Sequence, residues 1–188
     1  LADAAFVAKA EAGQAERIAP CIACNQACLD HTFAMKLTSC LVNPRACHEV
    51  ELSYAPSATP KRIAVVGAGA AGLSAALVAA ERGHKVALFE ASDAIGGQLN
   101  LARQVPGKEE FHGLVDWFTS EVTARGIDLR LNTRADVAAL AGFDEVIVAT
   151  GVNPRDPAIK GQDLPHVLGY AEVLSGARVG ARVAIIGA

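Results

Sequence analysis

The sequence has no run of lysine or arginine, and the formal net charge of its 188 residues is −3 at pH 7. Proteins that bind nucleic acid or an anionic membrane surface usually concentrate basic side chains in one region. We therefore expect neither nucleic acid nor a membrane as a partner. No positively charged and then apolar segment opens the sequence, so no secretory signal is predicted and the expected location is the cytoplasm.

The sequence also lacks a convincing membrane-spanning helix. Its longest candidate, Ile63 through Ala80, is uncharged over eighteen residues, which is long enough for a span to be considered. However, this stretch begins with residues that favour strands, continues with a glycine-rich turn and ends in an alanine-rich segment. It is therefore predicted to form a strand, a turn and a helix.

Cysteine is absent after position 47, and all five cysteines lie between positions 21 and 47. A disulfide-rich secreted domain usually distributes its cysteines through the chain, so this concentration favours metal binding. Four of them have the spacing Cys-x2-Cys-x3-Cys-x11-Cys: Cys21, Cys24, Cys28 and Cys40. Cys47 falls outside this spacing and is expected to be a small buried residue with a free thiol.

Four thiolates can bind either zinc or an iron–sulfur cluster. Structural zinc sites usually supply their ligands as two pairs, whereas here three cysteines lie within eight residues and the fourth is separate. The spacing also differs from the bacterial ferredoxin run. The pattern favours a [4Fe–4S] cluster, with zinc and a redox dithiol or disulfide as alternatives. Such a centre would organise residues 20–48, which show no regular hydrophobic period.

The region after the linker at residues 53–60 alternates strands and helices, as an α/β domain does. The predicted elements are strands at 62–66, 85–90, 127–131 and 145–150, and helices at 70–82 and 108–125. A separate helix is expected over residues 4–18, ended by Pro20. Residues 151–181 are rich in glycine and proline and are predicted to be a connection.

The sequence Gly-Ala-Gly-Ala-Ala-Gly at 67–72 lies between the first predicted strand and the first helix of that domain. Gly67 allows a tight turn, Gly69 lets the backbone approach a pyrophosphate, and Gly72 allows the helix to pack closely on the strand. Free N–H groups at the start of the helix would bind the phosphates. Glu90, eighteen residues after Gly72, ends the next strand, where it can accept ribose hydroxyls. The pattern predicts a site for FAD or NAD and disfavours NADP there.

Residues 182–188, Arg-Val-Ala-Ile-Ile-Gly-Ala, nearly repeat residues 62–68, Arg-Ile-Ala-Val-Val-Gly-Ala. The repeat predicts the first strand of a second dinucleotide-binding domain. We therefore expect the chain to be a fragment of a larger enzyme, truncated at both ends.

Five segments carry a family resemblance: Pro-Cys-Ile-Ala-Cys-Asn-Gln at 20–26, Cys-Leu-Val-Asn-Pro at 40–44, residues 61–73, Gly-Gly-Gln-Leu-Asn at 96–100 and Val-Pro-Gly-Lys-Glu-Glu-Phe at 105–111. In combination they resemble the 2,4-dienoyl-CoA reductase or NADH:flavin oxidoreductase family, the iron–sulfur flavoprotein branch of the old yellow enzyme group. Ala23 stands where that family commonly has glycine, and Ala70 where it commonly has proline. Neither departure removes a ligand.

The resemblance implies an α/β fold with a partial Rossmann-like FAD-binding domain, preceded by a loop-rich [4Fe–4S] segment and the last helix of a TIM barrel. The implied division is 1–19 for the last helix of a truncated barrel, 20–52 for the cluster segment, 53–60 for the linker, 61–150 for the first part of the FAD domain, 151–181 for the connection and 182–188 for the start of a truncated NAD(P)H domain. The missing barrel and NAD(P)H domains of the parent chain are thus expected partners.

The resemblance also implies the site residues. The cluster ligands would be Cys21, Cys24, Cys28 and Cys40, and the FAD-binding residues would be Gly67, Gly69, Ala71, Gly72, Glu90, Gln98, Lys108 and Ala135, the last through its backbone. No catalytic residue is expected within this chain.

In this family two kinds of redox centre work together. The nicotinamide and the flavins exchange two electrons, whereas the cluster carries one electron at a time. A nicotinamide delivers a hydride to FAD, and the cluster passes single electrons to FMN, which reduces the activated double bond of an enoyl-CoA, dienoyl-CoA or related substrate. FMN and NAD(P)H would bind outside this fragment, so we do not expect the fragment alone to reduce the substrate.

Two other functions are consistent with the residues. One is an amine dehydrogenase similar to trimethylamine dehydrogenase, which shares the cluster and barrel but binds ADP in place of FAD; Gln98 and Lys108 favour FAD. The other belongs to a different class, a zinc-stabilised nucleotide-binding module without redox activity.

Overall fold

A computed structural model describes residues 1–187 of the chain. The α-helices in these residues are α1 (Phe6–Glu11), α2 (Leu29–Phe33), α3 (Ala70–Glu81), α4 (Leu99–Ala102), α5 (Glu110–Ala124), α6 (Val137–Leu140) and α7 (Tyr170–Leu174). The strands are β1 (Arg62–Val66), β2 (Lys85–Phe89), β3 (Asp128–Arg130) and β4 (Glu145–Val148), and a short 3-10 helix spans Ala15–Arg17.

The four strands form one parallel sheet in the order β3-β2-β1-β4. Ile63 of β1 pairs with Val86 of β2 on one side and with Glu145 of β4 on the other. Because all strands run in the same direction, the loops that follow them meet at one edge of the sheet. This edge gathers the glycine loop after β1, Glu90 after β2 and Ala149 after β4.

Strands β1 and β2 are nearly continuous apolar sequence because both of their faces are covered. On one face, Val65 and Leu88 pack in a core with Leu73 of α3 and Phe118 of α5. On the opposite face, Phe89 packs in a smaller cluster that includes Phe143. Helix α3 therefore has a fixed position on the sheet, with its first turn at the edge where the loops meet.

The predicted β1–α3–β2 unit and α5 are confirmed, with ends within two residues of the predicted ones. The predicted strands at 127–131 and 145–150 are present but shorter, as β3 and β4. The uncharged stretch from Ile63 to Ala80 forms β1, the glycine loop and most of α3, as predicted. No helix within residues 1–187 is both long and apolar enough to cross a membrane.

The prediction of one helix over residues 4–18 is wrong. Helix α1 ends at Glu11, and Gly13 follows with a φ of +68°, a left-handed conformation that stops a helix. The 3-10 helix then spans Ala15–Arg17. A glycine, and not Pro20, ends the helix. The apolar side chains of Phe6 and Val7 are exposed.

The prediction of a strand at 182–188 is also wrong for the residues that the structure describes, and Ala188 lies outside them. Residues 182–187 form no strand, and the side chain of Ile185 is 93% exposed. A strand needs a neighbour to take its N–H and C=O groups, and no strand among residues 1–187 pairs with this stretch. The predicted connection before it contains helix α7, whose start is capped by the Glu172 carboxylate, which accepts the Gly169 N–H at 2.8 Å.

Candidate functional site

The glycine loop packs tightly between β1 and the segment that follows β4. Gly67 has a φ of +103°, and a Cβ atom there would overlap the Ala149 carbonyl oxygen. A Cβ atom at Gly72, in the first turn of α3, would overlap the Gly67 carbonyl oxygen. Gly67 therefore allows the tight turn that the sequence predicted, close to the segment after β4, and Gly72 allows α3 to pack closely on the end of β1.

Gly69 has a different environment. A Cβ atom there would have no heavy atom within 4 Å, and its φ of −77° would not strain another residue. Gly69 caps α3 without any side-chain hydrogen bond, and the next two residues, Ala70 and Ala71, are exposed. The first N–H groups of this 12-residue helix have no partner within the helix and carry partial positive charge. Helix starts of this kind are where proteins bind phosphate groups.

A pair of glycines after β2, Gly96 and Gly97, closes one side of the space at Gly69. The Gly96 N–H donates to the Ala68 carbonyl at 2.8 Å, and Gly96 forms an isolated parallel bridge with Gly69. A Cβ atom at Gly97 would lie 3.1 Å from the Gly69 Cα. We call residues 67–72 and 96–97 together the glycine cradle. The residues of this pair were noted in the sequence, but their contact with the first loop was not predicted.

Glu90 holds its carboxylate beside the cradle. Its Oε2 accepts the Ala68 N–H at 2.8 Å, and its Oε1 accepts the Ser92 N–H at 2.9 Å and the Ser92 hydroxyl at 2.8 Å. Partial burial raises the pKa of the Glu90 carboxyl, but the N–H donors of Ser92 and Ala68 outweigh it, so the pKa lies below its ordinary value. Three of the about four acceptor positions of this ionised carboxylate are thus used within the chain, which leaves room for a ribose hydroxyl. Sequence reasoning missed Ser92, which holds the carboxylate in position.

The contacts of the remaining predicted FAD residues lie outside the glycine loop at residues 67–72. Gln98 is exposed, and its side-chain amide donates weakly to the Val152 carbonyl at 3.4 Å. Lys108 is exposed, and its side chain has no hydrogen bond or ion pair within residues 1–187. Ala135 is half-buried and packs on the small cluster that contains Phe89. The structure brings Gly67, Gly69, Gly72 and Glu90 together. The roles of Gln98, Lys108 and Ala135 stay predictions.

The four predicted cluster ligands lie in a loop-rich region, residues 20–52, which we call the cysteine segment. All five cysteines of the chain are free thiols; Cys24, Cys28 and Cys40 are half-buried, whereas Cys21 is exposed. Within residues 1–187, no three His, Cys, Asp or Glu side chains are arranged to hold a metal ion. The ligand set therefore stays a prediction.

The backbone of the cysteine segment has features that suit a cluster. The Ala23 N–H donates to the Cys21 sulfur at 3.4 Å, and such N–H···S bonds stabilise a thiolate. Ala23 and Asn25 have positive φ values of 51° and 58°, which turn the chain sharply between Cys21 and Cys28. The donor set of four free thiols has the chemistry that a metal cluster requires, but the structure does not bring the four sulfurs together around one point. The prediction that Cys47 is buried is wrong, because Cys47 is exposed in a turn with a φ of +62°.

Comparison with known proteins gives a family match over the second part of the chain. The model of the family described as pyridine nucleotide-disulphide oxidoreductase matches residues 61–188. The matched region begins at the residue before β1 and includes the whole glycine cradle.

Individual relatives match more of the chain than the family model does. A metal reductase of Desulforamulus reducens is 42% identical over 194 residues, covering 100% of this chain and 29% of the reductase. An N,N-dimethylglycine/sarcosine dehydrogenase of Chromohalobacter salexigens is 41% identical over 160 residues, covering 82% of this chain and 23% of the dehydrogenase. The solved structure of 2-naphthoyl-CoA reductase in complex with 2-naphthoyl-CoA has a TM-score of 0.91 and 35% identity, covering 95% of this chain and 28% of that one. The chain thus spans less than a third of each of these proteins.

The contrast between two glycines gives a first test of the cradle. In Gly69→Ala the added methyl fits the protein but occupies the phosphate space, so we expect weaker FAD binding with the free energy of unfolding changed by less than about 0.5 kcal/mol. In Gly72→Ala the methyl overlaps the Gly67 carbonyl, so we expect a loss of stability of about 1–3 kcal/mol or more. Calorimetric titration with FAD and urea unfolding measure the two effects.

Gly113→Ala is the matched control, because Gly113 lies inside α5 and its nearest contact to an added Cβ is 4.0 Å away. Alanine there should leave FAD binding unchanged and raise stability by up to about 1 kcal/mol. Gly69→Ala binding FAD as tightly as the unaltered chain would show that the cradle does not receive the pyrophosphate.

The hydrogen bonds of Glu90 predict a pH dependence of stability. Its lowered pKa means that its contribution is complete above the ordinary glutamate value of about 4.3 and is lost as pH falls through the folded-state pKa. In Glu90→Gln we therefore expect the free energy of unfolding to fall less between about pH 5 and pH 3 than in the unaltered protein. Urea unfolding across this range measures it, with the exposed neighbour Asp93→Asn as control. Equal pH dependence in all three proteins would contradict this account of Glu90.

Proposed function

Because the chain belongs to the pyridine nucleotide-disulphide oxidoreductase family, we propose that it is the FAD-binding and [4Fe–4S]-binding portion of an NAD(P)H-dependent flavoprotein oxidoreductase. The observation that carries the proposal is the open space at Gly69, with free helix N–H groups on one side and the Glu90 carboxylate on another. An anion-binding helix start and a ribose acceptor at one sheet edge are what a dinucleotide requires.

In this proposal each part of the cradle has one task. The N–H groups around Gly69 and Ala71 bind the pyrophosphate, while Gly67 and Gly72 let the loop and α3 pack closely enough to present them. Glu90 accepts the hydroxyls of the adenosine ribose. Gln98, Lys108 and the backbone of Ala135 contact other parts of FAD. Among these, Gln98 is on the same loop as the Gly96–Gly97 pair and lies at the start of α4.

The cysteine segment supplies the second centre. Cys21, Cys24, Cys28 and Cys40 are proposed to ligate the cluster as thiolates, and the Ala23 N–H holds the sulfur of Cys21. When bound, FAD exchanges two electrons with a nicotinamide and a [4Fe–4S] cluster carries one at a time, so the pair links hydride chemistry to single-electron transfer. The residues of this chain hold the two groups in one folded unit.

The substrate and the other domains of the parent protein belong to the same proposal. A barrel domain with FMN would receive the electrons and reduce an enoyl or dienoyl double bond, and a separate NAD(P)H domain would supply the hydride. Similarity to a 2-naphthoyl-CoA reductase supports an unsaturated acyl-CoA or related small molecule as the substrate. For the parent protein we favour the activity of a 2,4-dienoyl-CoA reductase.

A second candidate is an amine dehydrogenase of the trimethylamine dehydrogenase type. The 41% identity with a dimethylglycine/sarcosine dehydrogenase supports it. In this case the cradle would hold ADP, and the electrons would run from the amine to the cluster instead of from NAD(P)H. The two candidates therefore differ in the nucleotide that the cradle holds.

The test is a metal, sulfide and nucleotide analysis of the parent protein prepared without oxygen. We expect about four iron and four sulfide ions per chain, as a [4Fe–4S] cluster requires, together with extractable FAD. Cys28→Ser should lower the iron and sulfide content, whereas Cys47→Ser, which alters an exposed cysteine outside the spacing, should not.

Each contrary result points to a different alternative. Extracted ADP without FAD would identify the amine dehydrogenase type. Zinc without sulfide would contradict electron transfer and support a zinc-stabilised module. Unchanged iron in Cys28→Ser would show that the ligand set is wrong.

A further inference from the structure

Five charged side chains of alternating sign form a continuous network on one side of the molecule. Arg17 Nε lies 2.8 Å from Glu121 Oε1, and Arg125 Nε lies 3.0 Å from Glu121 Oε2. Arg125 Nη1 also lies 3.6 Å from Glu81 Oε2, and Arg45 Nη1 lies 3.4 Å from Glu81 Oε1. We call these five residues the ion-pair network.

Glu121 is the buried centre of the ion-pair network. Its side chain is 1% exposed, whereas those of Arg17 and Arg125 are 32% and 26% exposed. Burial raises the pKa of the Glu121 carboxyl, but the hydrogen bond from Arg17 and the charge of Arg125 outweigh it, so the pKa lies below its ordinary value. A buried carboxylate is costly unless both partners stay in place. The two arginines are therefore held firmly against it.

The two ends of the network flank the predicted cluster ligands. Arg17 lies four residues before Cys21, and Arg45 lies five residues after Cys40. Each end has a further contact that orders it. The indole N–H of Trp117 donates to the Arg17 carbonyl at 3.0 Å, and the Arg45 guanidinium lies 4.8 Å from the centre of the Tyr54 ring.

The middle of the network belongs to the nucleotide-binding domain. Glu121 and Arg125 lie at the end of α5, and Glu81 is the last residue of α3. The opposite end of α3 forms the glycine cradle, so a single 12-residue helix joins Glu81 to the dinucleotide site. Inside the cysteine segment, Ile22 and Val42 add apolar contacts to the core that α3 and α5 share.

These contacts have a geometric consequence. Apolar packing by Ile22 and Val42 holds the cysteine segment near the domain but is not directional. On one flank, Arg17 makes a fork on Glu121, with Nε at 2.8 Å and Nη2 at 3.5 Å, and such a fork matches a carboxylate in few arrangements. On the other flank, Arg45 adds a single contact of 3.4 Å to the more exposed Glu81. The network therefore sets how the four thiols face the domain that carries the cradle.

We propose that the ion-pair network orients the cysteine segment relative to the glycine cradle, and that Glu121 and Glu81 are positioning residues for electron transfer between the flavin and the cluster. This inference rests on the proposed function, since it takes the cysteine segment and the cradle as the two redox sites. Each transfer moves one electron out of reduced FAD and one electron into the oxidised cluster, with no other reactant.

The experiment compares Glu121→Gln and Glu81→Gln in the intact parent protein loaded with both cofactors. The control is Glu145→Gln, which removes the 2.6 Å pair with Lys61 at the start of β4, a glutamate–cation pair outside the network. Amide hydrogen exchange over residues 21–40 is measured first. We expect exchange there to rise about tenfold in Glu121→Gln and less in Glu81→Gln, because only Glu121 is buried, and to stay unchanged in the control.

The second readout is the rate of cluster reduction after FAD has been reduced in a stopped-flow mixer. We expect about a tenfold fall in Glu121→Gln, with FAD content, iron content and exchange within α3 equal to those of the unaltered protein. A merely structural role would lower cofactor content or α3 protection together with the rate. If Glu121→Gln does not fold, Glu81→Gln, whose glutamate is 38% exposed, provides the same comparison.

Unchanged exchange over residues 21–40 and an unchanged rate in a folded Glu121→Gln protein would overturn the proposal. A parent protein without a cluster would instead overturn the proposed function, and the exchange data alone would then decide whether the network orients the segment. The two failures are therefore distinguishable.

Discussion

The close approach of Gly72 to the Gly67 carbonyl is the contact on which the nucleotide site depends. No side chain fits between them, so α3 begins directly at the end of β1 and its first N–H groups face the edge of the parallel sheet. The other parts of the site reach the same edge because parallel strands end there together. Glu90 then fixes the loop through Ala68, and the Gly96–Gly97 pair closes its side. At Gly69, in contrast to Gly67 and Gly72, an added Cβ would meet no heavy atom within 4 Å.

The same helix links this site to the rest of the molecule. Its first turn forms the cradle, its middle packs in the core through Leu73, and its last residue, Glu81, receives arginines from two other parts of the chain. The cysteine segment has little regular structure of its own, so its position depends on contacts with α3 and α5. Apolar side chains hold it against the core, and the charges around Glu121 give those contacts a direction.

The elements that were predicted best from the sequence are those that depend on a local pattern of residues. The β1–α3–β2 unit was predicted within a residue or so because its strands are apolar, its turn needs glycine and its helix is rich in alanine. Gly67, Gly69, Gly72 and Glu90 were predicted from the spacing of the glycine motif and the next strand, whereas the contact of Gly96 and Gly97 with that loop was not predicted. The break at Gly13 was missed because an alanine- and glutamate-rich composition outweighed one glycine. Residues 182–187 have the composition of a strand, but hydrogen bonding to a neighbour, which composition does not encode, decides whether one forms. The bond between Arg17 and Glu121 joins residues 104 positions apart and leaves no periodic signal.

The proposed function requires that one folded unit hold a flavin and an iron–sulfur cluster and pass electrons between them. Rapid freeze-quench electron paramagnetic resonance tests it most directly, on the intact parent enzyme mixed with NAD(P)H. We expect the signal of a reduced [4Fe–4S] cluster to appear within a single turnover and to decay when an unsaturated acyl-CoA is added. A flavin that is reduced by NAD(P)H and reoxidised by that substrate while no cluster signal forms would show that the electrons do not pass through a cluster.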